Sequence, residues 1–197
     1  MSRCTLVFLA LTLCCFTSNA SAGFAYLAVG NQSGGCDLEN DTGLITIAVI
    51  HQTSNQDAKG IRYLLSTCTS TLQWLTDVNY FPNTTGRSID GIEVLYSGCI
   101  GSGEFIHVQN VLFMGDGTSP VDSGLKMFTH PGWVWPAQEG IQEIRCDDST
   151  PVESGDGICI KPVTCYCNVL ATPSNNIACG PVPVESQTWG RVKALYE

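Results

Sequence analysis

An all-β fold is what this sequence predicts, and three observations carry the prediction. Apolar alternation and β-branched runs recur at short intervals with turn residues between them. Charged residues are sparse at 14%, while Gly, Ser, Thr and Asn are plentiful, a balance unlike that of helical cytosolic chains. No segment has the strong helical pattern of ~10 to 15 residues that a parallel α/β fold needs between strands. Roughly six to eight short strands over residues 23–148 fit a β-sandwich, immunoglobulin-like or jelly-roll-like. A cysteine-rich extension with a Pro linker (149–184) and a short C-terminal helical motif (185–197) are expected to follow it.

The first 22 residues read as a signal peptide. Arg3 precedes an apolar run from Thr5 to Phe16, and a polar stretch then ends in Ala20-Ser21-Ala22, whose small residues suit a signal peptidase cleft. Gly23 is therefore the expected N-terminus of the mature chain. Lipid attachment at Cys14 is disfavoured, because Leu13 stands where a small residue is wanted. The apolar run is shorter than the roughly 20 residues of a spanning helix, and no later segment approaches that length. The expected location is extracytoplasmic, secreted or at the cell surface, with no transmembrane segment in the mature chain.

Within the sandwich the strands are expected in order. Phe24 to Val29 leads into the loop "GNQSGGCDLENDTG", and Leu44 to His51, "LITIAVIH", reads as a strand buried on both faces or nearly so. "SNQDAKG" turns the chain into Ile61 to Thr67. Leu72 to Phe81 fits either periodicity, and its β-branched and aromatic content favours extended structure. Ile92 to Tyr96, Glu104 to Met114, Leu125 to Thr129 and Ile141 to Cys146 complete the series. Beyond Asp147, "DDSTPVESGDG" reads as a polar turn region and "GPVPVESQ" as a stiff spacer.

Charge and cysteine content bound the function. The net charge is −9, every acidic residue lies beyond residue 22, and such a surface repels nucleic acid and anionic lipid. Removing Cys4, Cys14 and Cys15 leaves eight cysteines: Cys36, Cys68, Cys99, Cys146, Cys159, Cys165, Cys167 and Cys179. An even number in an exported chain argues for disulfides, whereas zinc would want repeated close ligand pairs with histidines nearby. Cys165 and Cys167 flank Tyr166, so on an extended segment they share a face and take different partners, with Cys159 and Cys179 the candidates. Cys36, Cys68, Cys99 and Cys146 then remain to staple the larger region.

Candidate sites each stand beside a plainer reading. Asp41-Thr42-Gly43 and Asp122-Ser123-Gly124 form a pair of D-[ST]-G triplets, as in aspartic proteases, but the buried apolar strand that precedes each Asp there is missing, and Asp and Gly build turns everywhere. Asp37, Glu39 and Asp41 alternate like the first ligands of a calcium loop, yet Thr42 replaces the required Gly and no Glu closes the loop, leaving calcium a weak possibility and no cofactor the main expectation. In "HPGWVWP" the rings of Trp133 and Trp135 would face one side if extended, a platform for sugar stacking, although burial over an open sheet face is the commoner fate of Trp. His51, His107 and His130 lie on separate segments and read as half-buried strand or turn residues. No G-x-S-x-G elbow, Walker loop or dinucleotide fingerprint appears, and Asn31, Asn40 and Asn83 lie in sequons.

The ending "QTWGRVKALYE" places Trp189, Val192 and Leu195 or Tyr196 on one helical face with Ser186 as a cap. So short a helix, containing Gly190, does not hold alone in water. Together with "CDLENDTGLITIAVIH", "SIDGIEVLYSGCIGSGEFIHVQNVLFMGDG" and "GIQEIRCDD", this ending resembles uncharacterised exported, cysteine-bearing bacterial proteins that finish in T-W-G-x-[IV]-K-x-[LM]-Y. Trp189, Gly190, Lys193, Leu195 and Tyr196 match that motif, while Glu197 stands where a basic residue is usual. The resemblance spans about residues 35–148 plus the tail and implies an exported disulfide-bearing β-domain whose last element sorts or docks the chain, with a cell-surface or matrix component as partner. The function expected is therefore that of an exported structural or binding protein without catalytic activity. The alternative is a carbohydrate-binding or hydrolytic extracellular protein using the Trp133/Trp135 region, with Asp116 and Asp122 as acidic groups.

Overall fold

The computed structural model describes residues 23–30 and 37–165. Twelve strands and no helix occur among them. They are β1 (Phe24–Val29), β2 (Asp37–Leu38), β3 (Thr42–Gln52), β4 (Ala58–Ser66), β5 (Gln73–Asn79), β6 (Asn83–Arg87), β7 (Gly91–Ile100), β8 (Phe105–Asp116), β9 (Ser123–Phe128), β10 (Ile141–Arg145), β11 (Val152–Gly155) and β12 (Gly157–Ile160). The protein is an all-β sandwich.

One layer runs β5-β8-β3-β1, all antiparallel, with Ile47 opposite Val111 and Leu27 opposite Val49. The other is built on β4, which pairs β7 along one edge and, along the opposite edge, β10 near its start and β9 near its end. β6 extends β7, and β12 with the short β2 extends β9. Strand β11 joins the layers, pairing antiparallel with β10 and parallel with β1.

Alternation decides what lies between the layers. Ile45, Ile47 and Val49 of β3, Ile61, Tyr63 and Leu65 of β4, Ile92, Val94 and Tyr96 of β7, and Leu125 and Met127 of β9 meet in one buried cluster. Each fully buried large apolar side chain contributes roughly 1.5–3 kcal/mol. In β8 the buried apolar positions Ile106, Val108, Val111 and Phe113 change parity midway, and a register shift opposite Val49/Ile50 accounts for it. The strand from Leu44 is buried on both faces only in its middle, at Ile47, Ala48 and Val49, whereas Leu44 is 62% exposed and Thr46 half-buried.

The sandwich does not stop at residue 148. β11 and β12 lie within the stretch read as an extension, and β12 is buried throughout, so the polar sequence "DDSTPVESGDG" hides a strand that closes the sandwich. Its few apolar residues concealed it, because β11 is held by backbone pairing on both edges more than by side-chain burial. Disulfides join Cys99 to Cys146 and Cys159 to Cys165, and Cys68 is also disulfide-bonded. Cys36, Cys167 and Cys179, the signal peptide, the Pro linker and the C-terminal motif lie outside the described residues.

Candidate binding surface

The connection between β9 and β10 carries both candidate tryptophans, and its neck is tied twice. Phe128 bridges Glu139, and the Thr129 amide donates to the Gln138 carbonyl at 2.8 Å while the Gln138 amide donates back to Thr129 Oγ1 at 2.9 Å. Beyond the neck the chain turns tightly instead of extending. The amides of Trp133 and Val134 both donate to the His130 carbonyl, at 3.0 and 3.1 Å, and the Gly132 amide donates to His130 Nδ1 at 3.0 Å. The Trp135–Pro136 peptide is cis.

The two rings do not cover the sheet. Trp133 is 58% exposed and Trp135 69% exposed, which overturns the expectation of burial, while the turn at 131–136 replaces the extended geometry that the stacking platform assumed. Trp133 is braced from below by Arg62, whose guanidinium carbon lies 3.7 Å from the ring centroid. Arg62 is in turn paired with Glu93, its register partner on β7. The loop lies close on β7 because residue 91 is glycine: a Cβ there would meet His130 Nε2 at 2.9 Å and Pro131 Cδ at 3.0 Å, and its φ is +110°. Burial and the nearby Arg62 charge hold His130 below the usual imidazole pKa.

A second polar assembly lies inside the sandwich, where β11 crosses between layers. Glu143 of β10 points inward and accepts from Ser54 Oγ at 2.6 Å, the Ser54 amide at 2.9 Å and Arg145 Nε at 3.0 Å. His51 Nε2 lies 3.2 Å from the same carboxylate, in ion-pair reach but short of good hydrogen-bond alignment. With that N–H facing the anion, Nδ1 accepts from the Tyr96 hydroxyl at 2.7 Å. Burial opposes ionisation of Glu143, but the contacts from His51, Ser54 and Arg145 prevail and lower its pKa to about 2. Burial lowers the pKa of His51 and raises that of Tyr96 well above the usual phenol value. His51 and Glu143 are fully buried, so no substrate reaches them, and the cluster serves the fold. The sequence hid it: His51 ends an apolar run, and Glu143 is marked only by its two-residue spacing from Ile141.

The acidic candidates are each engaged locally. Asp41 is fully buried, accepts from the Ser119 amide at 3.0 Å and faces the Lys161 ammonium at 3.0 Å. Burial pushes against ionisation there, yet Ser119 and Lys161 lower its pKa. An ammonium thus sits where a bound cation would be sought, and among the described residues no group of three metal-ligating side chains forms. Asp122 accepts the amides of Val163, Cys165 and Thr164 and the Thr164 hydroxyl, which depress its pKa strongly. Asp116 is lowered to about 2 by Thr118 and Thr71. A shared-proton dyad would raise one carboxylate, whereas both D-[ST]-G aspartates are lowered. A cavity of about 240 Å³ is lined mainly by Leu64, Leu65, Leu72, Trp74 and Ile89, with Ser66 and Thr67 as its polar residues and no titratable side chain.

The described chain is thus a disulfide-bearing β-sandwich with an exposed aromatic loop on one layer. No family model and no curated protein matches the chain. Among solved structures it is similar to a cohesin module of a family 33 glycoside hydrolase from Clostridium perfringens, at 9% identity and TM-score 0.48 over 73% of this chain and 99% of that one. It is also similar to a non-cellulosomal cohesin from Archaeoglobus fulgidus, at 14% identity and TM-score 0.46 over 73% and 93%. At these identities and TM-scores the likeness assigns no partner to this chain.

Proposed function

We propose that this chain is an exported, non-catalytic binding protein, a disulfide-stapled β-sandwich that presents Trp133 and Trp135 to a ligand with flat apolar faces, a carbohydrate in the first place. The exposure of both rings on a loop tied at its neck and braced by Arg62 carries the reading. Large aromatics left in water on a braced loop mark an interaction surface, and their faces suit the C–H faces of sugar rings. The disulfides and the signal-like residues 1–22 support an oxidising, extracytoplasmic destination. No cofactor enters this reading. Attachment to a cell-surface or matrix component falls to the C-terminal motif with Trp189, Gly190, Lys193, Leu195 and Tyr196.

A glycan array followed by titration with the best oligosaccharide tests the ligand class. Trp133→Ala and Trp135→Ala should each weaken binding about tenfold or more, as loss of a central aromatic anchor does, with little change in melting temperature. Absence of any retained glycan, with both rings freely quenched by acrylamide, would remove carbohydrate from the reading.

A further inference from the structure

Gly23 is buried beside the Glu143 cluster, at the seam where β11 joins the layers. A Cβ on it would lie 2.8 Å from Glu143 Oε2 and 3.0 Å from the Ser54 amide nitrogen, so its backbone packs against the carboxylate. Phe24, which follows Gly23, is in parallel register with Ser154, which follows Glu153 on β11.

Among the described residues the charges at this seam do not balance. Glu143 and Glu153 share a single guanidinium, that of Arg145, at 3.0 and 2.9 Å. From the other elements come Ser54, the His51 imidazole and, beyond it, the Tyr96 hydroxyl, none of which is a fixed cation. Burial keeps His51 on the neutral side, and Glu153 is raised by burial and by the charge of Glu143. A buried carboxylate without its full complement of positive charge is costly, and one more cation would neutralise the pair.

We propose that the missing cation is the α-ammonium of Gly23, released when the chain is cut after Ala22, and that it seats against Glu143 and Glu153 so that processing completes the fold. Hydrolysis of the Ala22–Gly23 peptide bond consumes one water, leaves a carboxylate on Ala22 and frees the Gly23 amine, which takes up a proton. Before the cut the same nitrogen is a neutral amide with one N–H to offer; afterwards it is a charged donor of three. Glycine suits the seat because a side chain would strike the carboxylate. The inference rests on the export reading above but not on the identity of the ligand.

Two chains test it, residues 23–197 and 21–197, the second retaining Ser21 and Ala22. At about pH 6.5, below the ordinary α-amino pKa of ~7.7–8.0, the chain starting at Gly23 should melt several degrees higher. A partner that favours the ammonium raises its folded-state pKa, so the gain is complete below the unfolded value and disappears as pH rises through the folded one. Glu143→Gln should abolish the difference, and selective acetylation of the Gly23 amine should do so without altering the fold's own side chains. Equal melting of the two chains at about pH 6.5, or a difference that survives acetylation, overturns the proposal. N-terminal sequencing of the exported protein checks the cut separately: a start other than Gly23 overturns the processing step, while the glycan experiment stands or fails on its own.

Discussion

Glu143 and His51 show how buried side chains contribute to the acid limit of this protein, beside the lowered Asp41, Asp116 and Asp122. The carboxylate is held at about 2 against an ordinary value of 4.5, and the buried imidazole is held below 6.5. On both groups the unfolded chain binds more protons than the folded one, so stability rises with pH through this range. Melting temperature should begin to fall below about pH 6.5 as unfolded His51 takes up its proton, and fall further below about pH 4.5 toward 2. A melting series should show the upper limb flattened in His51→Gln and the lower limb flattened in a Glu143 variant. Glu143→Ala should cost about 1–3 kcal/mol, since it leaves the buried Ser54 donors without their acceptor while Arg145 keeps Glu153. The histidine was legible as a strand residue but expected to be half-buried; full burial follows from the inward parity of β3 where β10 faces it.

Most elements were legible from alternation or from short apolar runs. β1, β3, β4, β5, β7, β8, β9 and β10 are strands at the segments the sequence marks, including the ambiguous Leu72 to Phe81, although β1, β9 and β10 are buried almost throughout. β6 escaped notice because "NTTGR" has no apolar face; it is an edge hairpin partner held by ladder hydrogen bonds to β7. The parity switch of β8 was present in the sequence as the spacing of Val108 and Val111, which signals a bulge. At this scale the Cys99–Cys146 bridge ties the end of β7 to the residue after β10. Replacing both cysteines by serine should lower stability by about 2–4 kcal/mol in denaturant titration, while the described strands remain folded as judged by far-ultraviolet dichroism. Cys165 pairs with Cys159, one of the two candidate partners expected for Cys165 and Cys167.

Across the molecule exposed large apolar side chains gather in two places. The outer face of β5-β8-β3 carries Val78, Tyr80, Leu44, Phe105 and Met114, each at least 42% exposed, with the Asn110 amide donating to the Tyr80 hydroxyl at 2.8 Å and His107 paired with Asn110 between them. The opposite layer carries Arg62, Glu93 and the tryptophan loop. The protein thus offers two different surfaces, and deleting residues 185–197 separates the roles open to the C-terminal motif. Loss of surface retention at an unchanged melting temperature fits an attachment element, whereas a drop of several degrees fits a docked helix. Mass spectrometry of the exported chain should also find about two hydrogens lost per disulfide.

By itself the sequence determined the all-β class and most strand positions, and its cysteine parity pointed to disulfides without fixing their pairing, because periodicity and cysteine count are local signals. Tertiary structure decided what depends on distant partners meeting. Arg62 reaches beneath Trp133 only because β4 lies under the β9–β10 loop, and both rings of that loop are exposed. Gly23, His51, Ser54, Glu143 and Glu153 converge only because β11 crosses from one layer to the other. Electrostatic balance at that seam is a sum over side chains far apart in sequence, so no local pattern could have announced it.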